Sequence, residues 1–417
     1  MKILFVLGLE ANPKIGGVER VTHVLSEYFM QQGIKVSFLY FRLSKIAFPE
    51  YNQHAEVFFL PDKDKSNSKE NIAYLKSLIN QNSIDIVINQ GNIADSVSEL
   101  IAASVEGTKS SIVSILHNTP LKFKQFYGQY KQTLAQYLAT QPKSVKNTMK
   151  KLLIFPIAVR EYVNSYKKYF KIAIRSSHRF VLLSKGYIPM LCKILNIKNE
   201  NKIIAVANPS SFAGEFLENN LKEKTKQVIY VGRLDYNQKR VDRLLHVWHL
   251  VEKDLPDWKL FIIGGSLETN AGKKKDYQAQ ELDRLRTISE ELQLKNIIFT
   301  GNTDPVPYYT DSSILCLTSN YEGFPMVLVE GIRYGLVPVV FDSFEAVHDF
   351  IEHKKNGMLA TPFNIEEYAG LLKEVMLKDA QRKEMAAQAI RTSKKYTINV
   401  IGTLWIEIFN ELVQYAQ

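Results

Sequence analysis

The chain has 417 residues, a hydrophobic share of 46%, an aromatic share of 11% and a formal net charge of +10. This length favours two domains over one core, and the composition excludes an intrinsically disordered chain. The two cysteines, Cys192 and Cys316, lie far apart in sequence, which excludes a disulfide framework or a cysteine zinc site and fits a reducing compartment.

The first predicted element is a strand at residues 2–9, "KILFVLGL". Glu10 follows it without a small-residue cleavage site, so we expect a buried strand and not a signal peptide. Apolar residues from Val18 to Phe29 then recur at helical spacing, and Gly33 stands where a helix C-cap belongs. No apolar run in the chain reaches the ~18 residues that a spanning helix needs.

Strand patterns alternate with helix patterns along most of the chain. The first series of strands continues at residues 34–40, 55–60, 84–89, 111–117, 179–184 and 202–208. The second series lies at residues 226–234, 259–265, 296–302, 313–319, 337–342 and 357–361. Two consecutive series predict an α/β fold of two doubly wound, Rossmann-like domains. Ligands bind at the carboxyl ends of strands in such domains, so we expect the two domains to face a central cleft.

We place an N-terminal domain at 1–207 and a second domain at 208–396, because the polar stretch 208–224 carries little strand signal. The remaining segment, 397–417, is predicted to form an amphipathic helix that packs back on the first domain. The apolar stripe of this helix consists of Ile401, Leu404, Trp405, Ile408, Phe409 and Leu412.

The basic excess of the chain lies in the segment 121–179. It holds thirteen Lys or Arg and one acid, Glu161, so it carries +12 while the other residues sum to −2. Pro156 interrupts an uncharged stretch at 152–159, so we expect two short helical pieces there. We predict that this segment docks on an anionic membrane surface. The residues named for this contact are Lys146, Lys150, Lys151 and Phe155. The alternative, that the apolar residues are core of the first domain, stays open.

Several residues directly after predicted strands are suited to an anionic ligand. Gly16 and Gly17 precede a helix, where backbone N–H groups bind anions. His117 ends the strand at 111–117, although a lone histidine in such a place is more often structural. Arg233 and Lys239 follow the strand at 226–234, where together they can bind a diphosphate. The nearby Arg240 and Arg243 are expected to be solvated charges.

The stretch "SNYEGFPMVLVEGIRYGLVPVV" at 319–340 carries two glutamates, Glu322 and Glu330, around a predicted helix start. Gly323 permits a tight turn and Pro325 suits the first helical position. The backbone N–H groups of Phe324 and Met326 would then be free for an anion or a hydroxyl. Ionised carboxylates accept hydrogen bonds from vicinal hydroxyls, so each glutamate is suited to one sugar ring.

With "GGVER", "VGRLDYNQKRVDRLL" and "VANP", this E-x7-E stretch makes the chain resemble a retaining family 4 glycosyltransferase of the GT-B fold and bacterial surface-polysaccharide type. The resemblance implies that Arg233 and Lys239 bind the donor diphosphate and that Glu330 binds the ribose. Glu322 would bind the transferred sugar and His117 would contact it near the reacting carbon. With Arg233 and Lys239, these two residues form the implied catalytic set.

The implied donor-binding set consists of Gly16, Gly17, Asn208, Arg233, Lys239, Thr303, Glu322, Gly323, Phe324, Pro325, Met326 and Glu330. The resemblance further implies a hexose donor, UDP-linked by family frequency alone, and a lipid-linked or polysaccharide acceptor at the cytoplasmic membrane face. It implies no metal, no cofactor, no nucleic acid and no protein nucleophile. The turn after the strand at 337–342 departs from the family pattern, as does the segment 121–179.

Two other functions remain as alternatives. A nucleotide-sugar epimerase can share this fold, but it would leave the basic segment without a purpose. A nucleic-acid-binding protein would account for the +12 with its aromatic residues, but it would leave the E-x7-E stretch unexplained. For metals, the triplet Asp62-Lys63-Asp64 reads as a solvated loop, and the His246/His249 pair has no third ligand nearby in sequence.

Overall fold

The structure is a computed structural model that describes residues 1–13, 16–42, 55–91, 93, 96–120, 145–198, 201–211, 221, 224–265 and 277–415, with the backbone alone at 145–156, 158–159, 277–278 and 415. The described residues form two parallel sheets, so the predicted α/β class is confirmed. The chain divides into two compact units, Met1–Ala207 with Gly402–Gln417, and Asn208–Ile401.

The sheet of the first unit has seven strands in the order β3-β2-β1-β4-β5-β6-β7, all parallel. The chain crosses over at β1 and β4, which is the doubly wound arrangement. The strands are Lys2–Leu9 (β1), Lys35–Arg42 (β2), Glu56–Phe59 (β3), Ile86–Asn89 (β4), Ser111–Leu116 (β5), Arg179–Leu182 (β6) and Ile203–Ala205 (β7). Each strand coincides with an apolar run of the sequence, because strands covered on both faces need continuous apolar residues.

The described helices of the first unit pack around that sheet. They are Gly17–Gln31 (α1), Lys69–Asn82 (α2), Val97–Val105 (α3), Val145–Ser176 (α4) and Tyr187–Leu195 (α5). Helix α1 ends at Gln31, and Gly33 takes the left-handed conformation (φ 77°) that closes a helix. A core of buried aliphatic residues from β1, β2, β4, α2 and α3 fills one side.

The sheet of the second unit has six parallel strands in the order β10-β9-β8-β11-β12-β13. The strands are Thr225–Val231 (β8), Lys259–Ile263 (β9), Ile297–Gly301 (β10), Ser312–Leu317 (β11), Val337–Phe341 (β12) and Met358–Ala360 (β13). The described helices of this unit are Val241–His249 (α6), Tyr277–Glu291 (α7), Val306–Asp311 (α8), Met326–Arg333 (α9), Ile365–Leu377 (α10) and Asp379–Ser393 (α11). The order again reverses between β8 and β11, where doubly wound sheets bind ligands.

The last helix, Ile398–Tyr415 (α12), belongs to the first unit from Gly402 onward. Phe409 packs edge-to-face on Phe29 of α1, with ring centroids 5.2 Å apart. A Cβ at Gly402 would lie 2.3 Å from the ring of Tyr28, so glycine is required at this crossing. The predicted stripe is narrower than expected, because Leu404 is 42% exposed.

Helix α4 corrects one expectation. It runs unbroken for 32 residues through Pro156, so the predicted division into two pieces is wrong. A mid-helix proline removes one backbone bond and costs about 3 kcal/mol, and the rest of the helix compensates. Tyr166 and Phe170 in its second half are buried and tie α4 to the first unit. The ring of Phe170 lies 6.2 Å from that of Phe180 on β6, and the hydroxyl of Tyr166 donates to the carbonyl oxygen of Pro120 at 3.0 Å. The segment 121–144 lies outside the described residues.

Candidate functional site

Glu322 lies in the loop between β11 and α9, at the carboxyl end of the second sheet. It is 4% exposed, so its carboxylate needs partners for its charge. Its Oε1 accepts hydrogen bonds from Nζ of Lys239 at 2.7 Å and from Oγ of Ser319 at 2.6 Å. Its Oε2 accepts one from Nε2 of Gln238 at 3.1 Å. The sequence therefore brings two of the predicted residues, Glu322 and Lys239, into direct contact.

The loop after β8 places Lys239. Asp235 accepts the backbone N–H groups of Asn237 and Gln238 on its side-chain oxygen and that of Lys239 on its backbone oxygen. This local turn returns the chain toward the sheet, and α6 begins two residues after Lys239. The resulting Lys239–Glu322 ion pair is buried on both sides (11% and 6% side-chain exposure). A buried pair is retained at a desolvation cost that hydrogen bonds such as those to Glu322 offset.

Arg233 lies beside this pair and is exposed. Its Nη2 donates to Oε1 of Gln238 at 3.4 Å, so Gln238 contacts both Arg233 and Glu322. The expectation that Arg240 and Arg243 are solvated is wrong. Arg240 pairs with Asp242 at 2.9 Å, and Arg243 lies over the ring of Phe363 at 4.0 Å.

Glu330 lies on α9 and is 2% exposed. Its Oε2 accepts a hydrogen bond from the hydroxyl of Tyr309 at 2.8 Å. Tyr309 is fully buried and its ring stacks on Tyr334 at 5.7 Å. The two glutamates are thus held differently: Glu322 by a cation and two polar side chains, and Glu330 by a phenol.

The start of α9 lies between them. Pro325 precedes the first helical residue, Met326, with φ −75° and ψ 95°. It therefore caps the helix and does not occupy the first helical position, because its backbone stays extended. The side chain of Phe324 is buried against Phe350 at 4.8 Å and Tyr396 at 5.9 Å. That packing fixes the turn at Gly323 and leaves ligand contact there to backbone N–H groups, since the first such groups of a helix have no intrahelical acceptor.

Two further predicted residues lie in other loops of this unit. Asn208 is 7% exposed in the loop that opens the unit, and Thr303 is exposed in the loop between β10 and α8. A feature that sequence reasoning missed is the glycine pair at the ends of β8 and β9. Gly232 and Gly264 have φ near +150°, and a Cβ on Gly264 would lie 1.8 Å from the carbonyl oxygen of Gly232. Only glycine allows these two loops to approach so closely.

In the first unit, His117 follows β5 and Gln90 follows the neighbouring strand β4. Nε2 of His117 is hydrogen-bonded to Oε1 of Gln90. Within the described part of the chain, Nδ1 of His117 is buried without a hydrogen-bond partner. Burial lowers the pKa of His117 to about 4, so the ring is neutral near pH 7. If the Gln90 oxygen accepts, Nδ1 is left as an unused acceptor.

Gly16 and Gly17 lie at the start of α1, after β1. Gly17 is the first helical residue, and Gly16 has extended backbone. A Cβ on Gly16 would lie 2.6 Å from Oε2 of Glu19, so a side chain there would displace this carboxylate. Burial raises the pKa of Glu19.

Among the described residues, no group of three or more His, Cys, Asp or Glu could hold a metal ion. Asp62 uses Oδ1 to accept the backbone N–H groups of Asp64 and Lys65, as in a solvated turn. None of the described helices is both long enough and apolar enough to cross a membrane.

The four residues predicted to contact a membrane belong to α4: Lys146, Lys150, Lys151 and Phe155. The structure describes their backbone alone. Ile157, two residues after Phe155, is 59% exposed. It is therefore not core of the first unit.

Comparison with known proteins follows this division of the chain. A family model described as "Glycosyltransferase Family 4" matches residues 15–201. A second model, described as "Glycosyl transferases group 1", matches residues 214–392, which include Arg233, Lys239 and both glutamates.

Two curated relatives are similar over about half the chain. An uncharacterized glycosyltransferase of Haemophilus influenzae is 32% identical over 207 residues, 49% of this chain and 54% of that protein. The GalNAc-alpha-(1->4)-GalNAc-alpha-(1->3)-diNAcBac-PP-undecaprenol alpha-1,4-N-acetyl-D-galactosaminyltransferase of Campylobacter jejuni is 25% identical over 213 residues, 51% of this chain and 55% of that protein. The chain therefore spans about half the length of these relatives.

Among solved structures, Alr3699/HepE of Anabaena in complex with UDP superimposes with a TM-score of 0.72 at 16% identity, covering 99% of this chain and 100% of that chain. At this identity the likeness establishes the fold, and the predicted GT-B fold is confirmed. With one family model on each half and the E-x7-E stretch inside the second, the chain belongs to glycosyltransferase family 4.

Proposed function

We propose that the protein transfers a hexose from a nucleotide sugar, with UDP as the nucleotide, to a lipid-linked or polysaccharide acceptor. The observation that carries the proposal is the buried Lys239–Glu322 pair beside the start of α9. Seven residues separate Glu330 from Glu322, and Glu330 is buried on α9. One cation, one helix start and two oriented carboxylates are what a sugar diphosphate requires.

The diphosphate is assigned to Lys239, Arg233 and the helix start. Lys239 has three N–H donors and directs one of them to Glu322. Arg233 is exposed and offers a planar fork to phosphate oxygens. The backbone N–H groups after Gly323 add the positive end of α9. Together they stabilise the charge that develops on the departing nucleoside diphosphate.

The hydroxyl groups are assigned to the two carboxylates. Glu322 binds the transferred hexose, because its contacts with Ser319 and Gln238 fix the direction of its oxygens. Glu330 binds the ribose, with Tyr309 holding one oxygen so that the carboxylate cannot turn away. A carboxylate accepts hydrogen bonds from two vicinal hydroxyls, which suits either ring.

The reaction is proposed to be retaining and independent of metal. The bond between the anomeric carbon and the phosphate oxygen breaks, and the acceptor oxygen bonds to that carbon on the same face. The acceptor proton passes to the departing diphosphate, so no protein nucleophile is assigned. Neutral His117 accepts a hydrogen bond from a hydroxyl of the donor sugar on Nδ1. Gly16 and Gly17 present backbone N–H groups to phosphate or acceptor.

The other residues of the predicted donor-binding set, Asn208, Thr303, Phe324, Pro325 and Met326, are assigned supporting contacts. Phe324, Pro325 and Met326 act through their backbone, because the Phe324 side chain is buried in the unit. A lipid-linked acceptor is favoured by the Campylobacter relative, whose name includes an undecaprenol-linked substrate.

Attachment to the cytoplasmic face of the membrane is proposed for the segment 121–179, which carries thirteen Lys or Arg and one acid. Each cation near an anionic surface contributes about 1 kcal/mol. Co-sedimentation with anionic vesicles should be lost at high salt and in a Lys146/Lys150/Lys151→Glu variant. Equal binding to neutral vesicles would refute this role.

Titration calorimetry with UDP and with a UDP-hexose, chosen from a panel by mass spectrometry of the released sugar, tests the assignment. Glu330→Gln should weaken both ligands about tenfold, since each contains ribose and 1.4 kcal/mol is a factor of ten. Glu322→Gln should weaken only the UDP-hexose. Glu352→Gln, an exposed carboxylate of the same unit, serves as the control.

Equal losses for both ligands in Glu322→Gln would refute the division between the two glutamates. Inversion of a hydroxyl on the bound sugar without transfer to any acceptor would instead establish an epimerase. Binding of oligonucleotide without binding of UDP would establish a nucleic-acid-binding protein.

A further inference from the structure

Lys239 is followed by a residue in an unusual backbone conformation. Arg240 has φ +50° and ψ 49°, the left-handed region, and stands immediately before α6. This region is unfavourable for residues with a Cβ and is stable only when the surroundings impose it. The left-handed backbone at Arg240 changes the direction of the chain between the loop that carries Lys239 and the start of α6.

The surroundings of Arg240 form a compact cluster of side chains, which we name the guanidinium cluster. Its members are Tyr236, Arg240, Asp242, Glu281 and Arg284. Arg240 bonds both carboxylate oxygens of Asp242, with its Nε at 3.0 and 3.3 Å and its Nη2 at 2.9 Å. Its guanidinium lies over the ring of Tyr236 at 4.6 Å. The side chain of Arg240 is therefore fixed from two sides.

Arg284 completes the cluster from helix α7. Its guanidinium lies 4.3 Å from the centroid of the Tyr236 ring and bonds both oxygens of Glu281, at 2.7 and 2.8 Å. It also lies 3.7 Å from Asp242. Asp242 and Glu281 are 7% and 5% exposed, whereas the side chains of Arg240 and Arg284 are 17% and 37% exposed. Two buried anions are therefore held by two partly buried cations, and desolvation of the anions is costly.

The backbone at Arg240 is also joined to the loop that carries Glu322. The hydroxyl of Thr318 contacts the carbonyl oxygens of Lys239 at 3.4 Å and Arg240 at 3.0 Å. Asn320 contacts the loop twice more, with its backbone N–H on Gln238 and its amide on Asn237, both at 2.7 Å. The left-handed turn therefore sets the position of one partner of the ion pair relative to the other.

We propose that the guanidinium cluster, acting through the left-handed conformation of Arg240, positions Lys239 for the donor diphosphate. Arg240 is a positioning residue: the cluster holds its backbone, and its backbone directs Lys239 to Glu322. This inference rests on the proposed binding of a nucleoside diphosphate at Lys239.

The test uses the full chain and compares two substitutions at the same residue. Arg240→Ala removes the side-chain anchors and keeps a Cβ, whereas Arg240→Gly also removes the anchors but adopts a positive φ without strain. We expect UDP affinity to fall about tenfold in Arg240→Ala and about threefold in Arg240→Gly, tenfold being 1.4 kcal/mol. Arg284→Met should also lower the affinity, because it frees one face of Tyr236.

Lys354 supplies a matched control, since it is exposed in the same unit with φ +65°. Lys354→Ala and Lys354→Gly should reproduce any strain effect on melting temperature while leaving UDP affinity unchanged. Equal UDP affinity in wild type and folded Arg240→Ala would overturn the proposal. Equal loss in Arg240→Ala and Arg240→Gly would also overturn it, since it would indicate direct ligand contact by the side chain.

A double-mutant cycle between Arg240→Ala and Lys239→Met separates this inference from the proposed function, because it needs no ligand. If Arg240 positions the ion pair, the fall in melting temperature caused by Arg240→Ala should shrink to about half in the Lys239→Met background. Additive effects would overturn the positioning role. If the cycle shows this coupling but the wild type does not bind UDP, the proposed function alone would be refuted.

Discussion

The candidate site residues that follow the strands differ in charge between the two units. In the second unit these residues include Arg233, Lys239 and Glu322, and the last two are already paired. In the first unit the corresponding contact joins two neutral side chains, Gln90 and His117. Among the described residues, the charged groups that we propose to bind a sugar diphosphate therefore lie in one unit.

This difference in charge determines how the candidate site residues of each unit are stabilised in the absence of a ligand. A buried charge is stable only with partners, so the second unit holds Lys239 and Glu322 in place at a desolvation cost. A neutral imidazole can remain buried with an unused nitrogen at a lower cost. The second unit thus holds a preorganised charged site. The first unit offers hydrogen-bonding groups, and His117 can accept a hydrogen bond there only while its imidazole stays neutral.

Breaking the buried pair should produce the largest effect. Lys239→Met leaves the buried carboxylate of Glu322 without its cation, and removal of one partner of such a pair costs about 3–5 kcal/mol of unfolding free energy. Urea denaturation measures this loss. Lys239→Met with Glu322→Gln should recover most of it, because the uncompensated charge is gone.

The matched control is Lys226→Met, which breaks a lysine–carboxylate pair on the surface of the same unit. Lys226 and Asp257 are 59% and 75% exposed, so the loss should be below about 1 kcal/mol. Equal losses in Lys239→Met and Lys226→Met would show that burial of the pair contributes nothing.

The sequence was sufficient for the fold because apolar runs predict strands locally. It also located the glycines before α1 and the two glutamates, of which Glu322 lies in the loop after β11 and Glu330 on the helix that follows. Partners of these residues were not predictable, because they depend on which loops the sheet order brings together. Tyr309 on α8 reaches Glu330 on α9, and Gln238 reaches Glu322 across 84 positions of sequence.

Two predictions were wrong because they applied local sequence rules to residues whose conformation or burial depends on the surrounding structure. Pro156 was expected to divide a helix, but the helix continues through it, since a proline removes only one donor of the helical hydrogen-bond ladder. Arg240 was expected to be solvated, yet Asp242 and Tyr236 enclose it. No sequence pattern indicated its left-handed backbone, since the residue that normally signals such a position is glycine.

A smaller effect should follow from the neutral histidine of the first unit. The pKa of His117 falls from 6.5 to about 4 on burial. Between these values the unfolded chain binds the proton and the folded chain does not, so stability falls as pH falls from 6.5 toward 4. Above pH 6.5 both states are neutral and the loss is absent. His117→Gln should remove up to about 3 kcal/mol of this pH dependence.

Urea denaturation at several pH values between 4 and 7 measures the difference between wild type and His117→Gln. His246→Gln, at an exposed position on α6, is the control and should follow the wild type. A His117→Gln curve parallel to that of the wild type would show that His117 titrates alike in both states.

Removal of metal should produce the smallest effect. We expect transfer activity to survive EDTA, because Lys239, Arg233 and the helix start at Met326 supply the positive charge that a divalent cation would otherwise bring to the diphosphate. The comparison between the units sharpens this expectation. The cations lie in the unit that carries both glutamates, so the negative charge of the leaving diphosphate is compensated where the diphosphate departs.

Transfer measured with a UDP-hexose before and after dialysis against EDTA tests this expectation. Activity that disappears with EDTA and returns with Mn²⁺ would contradict it and would require a carboxylate metal site in the complex. Activity that persists in wild type but falls in Lys239→Met would place the compensation on the lysine.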